Sequence, residues 1–335
     1  MAGDGHLGEF ELIRRYFTRS DGRPAAGVTV AGIGDDAAVL RIPAGCDLVA
    51  AVDTIVEGRH FPRGSEPRSI GHRALAVNLS DIAAMGATPA WATLALTLPA
   101  ADPDWLEGFS AGLFELARRH GVDLVGGDTT AGPLTVSVQV LGVVPSGEAL
   151  RRGGTRAGDL IAVTGTLGDA GAGLEIALSP RRPEDRQALA LAQRFLYPTP
   201  RVEFGRAARR IARAAMDVSD GMAGDLAKFA AAGGLAAHVD VERLPLSAAL
   251  LGFAPLERAL DHALAGGDDY ELLVAVGPAE AARLAAAAEE SATPLTVIGE
   301  FRAGRGVHWT RGGHPFTPAR GGFDHFAGPS TQFTD

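Results

Sequence analysis

Along residues 7–17, Leu7, Phe10, Ile13 and Phe17 recur at helical spacing and predict an amphipathic helix. Short apolar runs at 28–31, 37–42 and 47–52 predict strands, the last running into Asp53-Thr54. Residues 69–85 predict a helix broken near Asn78, with Ser80 as an N-cap and Asp81 in the first turn after it. A buried strand is predicted at 91–98. Residues 102–120 predict a helix, with Pro103 near its first position and Gly121 at its end. Strands follow at 122–125, leading into Gly126-Gly127-Asp128-Thr129-Thr130, and at 134–144. The Pro, Gly and Arg content of 145–158 marks a linker. Beyond it, strands are predicted at 160–163, 235–239, 272–276 and 295–299, among helices at 202–215, 222–232 and 279–288 and a polar helical insertion at 180–195. Both halves mix helices with strands. The predicted fold class is therefore α+β (mixed α/β) in two domains, 1–147 and 148–335, a division that also suits a chain of 335 residues.

Composition narrows the function. Apolar residues make up 46% and charged residues 21%, enough apolar material for a sizeable core. The net charge of −9 argues against non-specific binding to nucleic acid or to an anionic membrane. No apolar run reaches membrane length, and residues 1–9 lack a basic-then-apolar signal pattern. Cys46 is the single cysteine, which excludes an intrachain disulfide and fits a reducing compartment; the expected location is cytoplasmic. Lys228 is the only lysine. A Walker-type loop needs Gly-Lys-Ser/Thr, so any phosphate here must be met by cations, arginines and backbone N–H groups.

Six segments share one form: small residues with an aspartate beside a strand or helix end. They are 34–36, 53–54, 78–81, 127–128, 217–221 and 267–269. Mg²⁺ keeps several waters and takes one or two carboxylates plus substrate phosphates, and scattered single aspartates suit that mode. An EF-hand, with its contiguous loop, does not fit. Each segment alone is also ordinary turn or cap chemistry; the joint occurrence is what raises the case. Residues 165–173 read equally as a phosphate-cradling loop or as a plain strand–helix connection. The nine histidines show no zinc spacing.

Taken in order, Gly8-Glu9-Phe10-Glu11-Leu12-Ile13, Gly32-Ile33-Gly34-Asp35-Asp36-Ala37, Val52-Asp53-Thr54, Gly58-Arg59-His60-Phe61, 78–89, 126–130, Val163-Thr164-Gly165-Thr166-Leu167-Gly168, Asp217-Val218-Ser219-Asp220-Gly221, 266–271 and Asp324-His325-Phe326 closely resemble the thiamine-monophosphate kinase family. That family lies in the superfamily of aminoimidazole ribonucleotide synthetase and selenophosphate synthetase. The resemblance runs from end to end. It implies a two-domain fold of that superfamily, with N-terminal domains that bind ATP and Mg²⁺ and pair across a homodimer, and C-terminal α/β domains that add nucleotide and substrate contacts. It implies transfer of phosphate from ATP to thiamine monophosphate with several Mg²⁺ ions, and leaves a monovalent cation requirement open. Carried over by position, Asp36, Asp53, Asp81, Asp128, Asp217 and Asp220 resemble metal ligands, with the main chain at Val52 assisting; Asp53, Asp81 and Asp217 are the central ones for catalysis. Gly127, Asp128, Arg152 and Ser219 resemble nucleotide contacts. His60, Asp268 and Phe323 resemble substrate contacts. A ring-closing ligase of the same superfamily and a silent nucleotide-binding protein are the competing readings; selenophosphate synthetase fits less well, since the N-terminal region has no reactive cysteine.

Overall fold

The computed structural model describes residues 8–18, 24–179 and 185–323. The motif at 324–326 lies outside the described residues. Among those described, the chain forms two compact units. The first holds residues to Ile82 and Thr88–Ser146; the second holds Ala83–Ala87 and residues from Gly147 onward.

The first unit opens with a short helix, α1 (Glu9–Leu12), which loosens into a π-helical turn over Ile13–Phe17 in place of one regular helix. A small antiparallel ribbon follows, β1 (Val28–Ala31) with β2 (Val39–Arg41). The body is a four-stranded sheet of β3 (Cys46–Val56), β4 (Thr88–Leu98), β5 (Asp123–Ala131) and β6 (Thr135–Pro145), in the order β3-β6-β4-β5. Only the β4–β5 pair is parallel. Alternation sets its two faces. Leu94, Leu96, Val136, Val138 and Val140 are buried, whereas Val52, Thr54, Ala95 and Gln139 are exposed. Two helices, α2 (Pro67–Ala84) and α3 (Pro103–His120), cover the buried face: a small void there is lined jointly by Leu75, Leu113, Leu94 and Val138. The helices touch backbone to backbone. A Cβ at Gly71 would overlap the Phe109 carbonyl, and one at Gly112 the Arg68 carbonyl.

Helix α3 has Pro103 at its start and Gly121 at its end, as predicted, with Asp102 as its N-cap. The Asp102 carboxylate accepts from Asp104 N–H at 2.9 Å, and Gly121 closes the helix in a left-handed conformation with φ 62°. Helix α2 departs from expectation. It runs unbroken through Asn78, whose side-chain amide donates to Ala74 O at 3.0 Å within the helix instead of breaking it. Ser80 is fully buried inside the helix, so no helix starts there.

The second unit is built on a seven-stranded sheet of β7 (Leu160–Thr164), β8 (Ala214–Val218), β9 (Ala236–Asp240), β10 (Glu271–Val276), β11 (Leu295–Arg302), β12 (Gly306–Arg311) and β13 (His314–Phe316). Its order is β13-β12-β9-β11-β7-β10-β8, and only β9–β12 is parallel. The helices are α4 (Asp169–Leu178), α5 (Arg186–Leu196), α6 (Val202–Ala208), α7 (Met222–Gly233), α8 (Ala248–Phe253), α9 (Leu256–Ala265) and α10 (Ala281–Glu290). The core joins Ile161, Met216, Leu273 and Ile298 of the sheet to Phe229 of α7 and Leu260 of α9. A smaller cluster joins Ile176, Leu191, Leu250 and Ala259 of α4, α5, α8 and α9. Among the described residues no helix is long and apolar enough to cross a membrane.

Candidate active site

Of the six acidic segments, three lie inside regular elements. Asp53-Thr54 falls within β3, Gly127-Asp128 within β5, and Asp81 near the C-terminal end of α2. A carboxylate near a helix C-terminus opposes the dipole, so the capping explanation for Asp81 fails. Glycine-rich 126–130 stays in the sheet because β5 bulges against Ala92/Thr93 and Gly127 takes φ 153°. A Cβ at Gly127 would overlap the Leu94 carbonyl opposite, so this glycine is required by the strand pairing itself.

Register locates these groups on the first unit. Asp53 pairs with Val138, Val138 with Leu94, and Leu94 with Gly127; one step along, Thr54, Ser137, Ala95 and Asp128 share a row. Asp53 therefore projects to the helix-covered face, the side of the sheet on which α2 carries Asp81. Asp128 lies opposite exposed Ala95, at the other edge. Three interstrand spacings of ~4.8 Å put β3 and β5 roughly 14 Å apart. Within one chain, Asp53 and Asp128 are not brought together. Gly34, Asp35, Asp36, Gly127 and Asp128 do line one cavity of about 890 Å³, with Ile13 and Phe17 among its apolar lining residues. His60 sits in the turn after β3. Its Nδ1 accepts from Val56 N–H at 3.1 Å, which leaves Nε2 to carry the hydrogen of the neutral ring.

The second unit gathers residues far apart in sequence. The end of β8 and the loop after it hold Val218–Gly221. Ser219 O accepts from Asp268 N–H at 2.7 Å, Val218 O from Tyr270 N–H at 2.9 Å, and Asp220 O from Phe323 N–H at 2.9 Å. Ser219, Asp220, Asp268 and Phe323 thus share one place, with Asp217 buried at the end of β8 beside them. Arg152 does not join them. It stands exposed on the turn Arg152–Gly154, which is tied to the start of β8 through Ala215 N–H to Arg151 O at 3.2 Å, the end away from Ser219.

Sequence reasoning gives no role to three further residues of this unit, although Lys228 and the 267–269 segment stand out in it. The first two are Asp225 and Lys228 of α7. Asp225 is buried, and its Oδ2 accepts from Ser219 N–H at 2.9 Å and Asp220 N–H at 2.8 Å. Lys228 Nζ reaches Asp220 Oδ2 at 2.5 Å and Asp225 Oδ1 at 3.0 Å. Burial pushes the Asp225 carboxyl up, opposed by Lys228. Burial alone would lower the Lys228 ammonium; the hydrogen bonds it donates to Asp220 and Asp225 outweigh that and hold the group charged. The one lysine in the sequence was the available signal. The third is Asp269, buried, whose Oδ2 accepts from Gly168 N–H at 2.7 Å and Oδ1 from Ala170 N–H at 3.3 Å. Burial outweighs these amides and pushes its carboxyl up to about 8. The phosphate-cradle reading of 165–173 falls with this contact, because a side chain of the same unit fills the N-terminus of α4. Next to it, fully buried Glu271 accepts from Arg201 Nε and Nη2, both at 2.6 Å, from Arg194 Nη2 at 2.8 Å and from Thr164 Oγ1 at 2.6 Å. Burial would raise Glu271, but Arg201 and Arg194 hold it below the usual range.

Among the described residues no three His, Cys, Asp or Glu side chains are grouped to hold a metal unaided. An oxygen-only set of dispersed carboxylates fits a hard cation that takes one or two of them and completes its shell with phosphate and water.

Two domain families match this chain: AIR synthase related protein, N-terminal domain, over residues 34–144, and its C-terminal domain over 156–310. The thiamine-monophosphate kinase of Salmonella typhimurium is 46% identical over 324 residues, covering 96% of this chain and 99% of its own. The crystal structure of thiamine-monophosphate kinase from Stenotrophomonas maltophilia superposes with a TM-score of 0.81 at 45% identity, covering 91% of this chain and 95% of that one. AaThiL complexed with AMPPCP and TMP superposes at 0.75 with 30% identity, covering 96% and 97%. Two domain matches and full-length identity of this order leave one assignment: the chain belongs to the thiamine-monophosphate kinase family of AIR synthase related proteins.

Proposed function

We propose that this protein transfers the γ-phosphoryl group of ATP to thiamine monophosphate, giving ADP and thiamine diphosphate, the last step of thiamine diphosphate biosynthesis. The complex of its relative with AMPPCP, an ATP analogue, and TMP supports both substrates. The observation that carries the site is that Asp268 and Phe323, from two other stretches of sequence, bond to the loop of Ser219 and Asp220.

The acceptor is a phosphate monoester with a second pKa of about 6, so at neutral pH it is already mostly dianionic. No side chain need remove a proton from it, and no histidine is assigned that task. The obstacle is repulsion between two phosphate groups. Asp36, Asp53, Asp81, Asp128, Asp217 and Asp220 would hold Mg²⁺, with the Val52 main chain assisting. Bound Mg²⁺ would supply charge neutralisation and alignment of the phosphates. Gly127, Asp128, Ser219 and Arg152 are each assigned to the nucleotide, Arg152 through a fork-shaped donor set suited to phosphate. His60, Asp268 and Phe323 receive the thiamine moiety: a carboxylate suits its cationic ring, and a phenyl ring suits its flat faces. Transfer is direct, from ATP to acceptor, with no phosphorylated side chain between.

The protein acts as a homodimer. Asp53 and Asp128 occupy opposite edge strands, roughly 14 Å apart by strand spacing, so the pair completes a site only if a second copy supplies one of them. The open sheet face and ribbon favour this: Leu48, Val52, Val28, Val30 and Val39 are each about half exposed or more. The expected location is the cytoplasm.

The test is ADP release from Mg-ATP with thiamine monophosphate, run beside formylglycinamidine ribonucleotide. Turnover with the former alone is expected. Turnover only with the latter would make the protein a ring-closing ligase, and none with either would leave a nucleotide-binding protein.

A further inference from the structure

The turn that carries Asp268 has an unfavourable backbone. Among the described residues only three that are not glycine have positive φ, and two of them, Asp268 at 63° and Tyr270 at 50°, flank Asp269. Left-handed backbone is disfavoured for side chains with a Cβ, and for a bulky residue such as tyrosine it is an outlier. Such conformations persist only where the surroundings impose them, and they gather at functional sites. Three attachments impose this one. Two are main-chain bonds, Asp268 N–H to Ser219 O and Tyr270 N–H to Val218 O. The third is a side chain, the buried carboxyl group of Asp269 on the first amides of α4.

Those amides do not need Asp269 for the sake of the helix dipole. Asp169 already stands in the first turn of α4, held by Thr166 Oγ1 at 2.6 Å and Ser247 Oγ at 2.5 Å. What Asp269 adds is a fixed point, 1% exposed, midway between two strained residues. With that point held, Tyr270 Oη donates to Asp268 Oδ1 at 3.2 Å, so the aim of the Asp268 carboxylate depends on both flanks of the turn.

We propose that Asp269 is a positioning residue for the acceptor site: its carboxyl group, anchored on the amides of Gly168 and Ala170, imposes the left-handed backbone that presents Asp268 to thiamine monophosphate. The inference rests on the reading of Asp268 as a substrate contact. It assigns Asp269 no contact with substrate. Main-chain bonds fix the amides of Asp268 and Tyr270 but not the residue between them, so without the anchor the Asp268 carboxylate would lose its aim.

Steady-state kinetics of four full-length variants separate the possibilities. Asp269→Ala removes the acceptor and leaves a void. Asp269→Leu removes it but fills the space, so that loss of the anchor can be read if the alanine variant does not fold. Asp269→Asn keeps an acceptor for Gly168 N–H. Asp268→Ala removes the proposed contact. The expected result is a rise of at least tenfold in KM for thiamine monophosphate in Asp269→Ala and Asp269→Leu, with KM for ATP within twofold of the parent. Asp269→Asn restores KM for thiamine monophosphate to within threefold. A purely structural role would move both KM values or neither. Unchanged KM for thiamine monophosphate in Asp269→Leu, where Asp268→Ala raises it, overturns the proposal and leaves the site reading intact. Failure of Asp269→Asn to restore it also overturns the proposal. Unchanged KM in Asp268→Ala removes the site reading and the inference together.

Discussion

Asp225→Ala is the substitution whose effect is worked most fully from geometry. One carboxylate oxygen serves the amides of Ser219 and Asp220 at 2.9 and 2.8 Å, and the other pairs with Lys228 at 3.0 Å. Hydrogen bonds to a charged acceptor contribute about 1.5–3 kcal/mol each, so losing two costs roughly 3–6 kcal/mol. Removing a buried carboxylate also relieves its own desolvation cost, which offsets part of that loss. The expected net loss is about 2–4 kcal/mol, or roughly 4–16 °C in Tm for a unit of this size. Function should suffer with it, because the freed amides belong to the loop of Ser219 and Asp220. Thermal unfolding followed by circular dichroism reads the first effect, and KM for ATP reads the second. A Tm within about 1 °C of the parent, with KM for ATP unchanged, would show that the loop needs no carboxylate to hold its form.

Two further outcomes are expected. Asp81→Asn should lower turnover at least about a hundredfold, the scale of losing one charged element from a phosphoryl-transfer site, while a circular dichroism melt stays within a few degrees of the parent; near-normal kcat would remove Asp81 from the mechanism. Thermal unfolding should also depend on pH with two opposite slopes. Glu271 is held below its usual range, so its contribution is present above an unfolded value of 4.5 and is lost as pH falls through the folded value. Asp269 is raised from 3.8 to about 8, so its contribution is full below 3.8 and declines as pH rises toward 8. Tm measured from about pH 5 to 9 should therefore decline toward 8 in the parent and decline less in Asp269→Asn; equal slopes in the two would contradict the assignment of that decline to Asp269.

Much of the fold is legible where local chemistry decides it. The Asp102 cap and Gly121 stop of α3 are written in the sequence, and so are the apolar runs of the central strands. The acidic positions were legible as residues and not as places. Gly126-Gly127 reads as a loop, yet the strand continues because close pairing against Leu94 demands a residue without a Cβ. Asn78 and Ser80 read as a helix start, yet the surrounding burial keeps α2 continuous and turns Asn78 inward to its own helix. Asp225 and Asp269 were not singled out as anchors because their partners are backbone amides, which leave no mark in a sequence. Tertiary pairing also decides that Phe323 meets Asp220 across about a hundred residues of chain, a contact no local pattern encodes.

The central claim is that the phosphate of the acceptor attacks the γ-phosphorus of ATP directly, with carboxylate-held cations and fixed donors doing no more than aligning the two. The stereochemical course at that phosphorus tests it most closely, using ATP made chiral at the γ position with thiophosphate and isotopic oxygen and analysing the thiamine product. A single in-line displacement inverts configuration, and inversion is the predicted result. Retention would require two displacements and a phosphorylated enzyme, and would contradict the account.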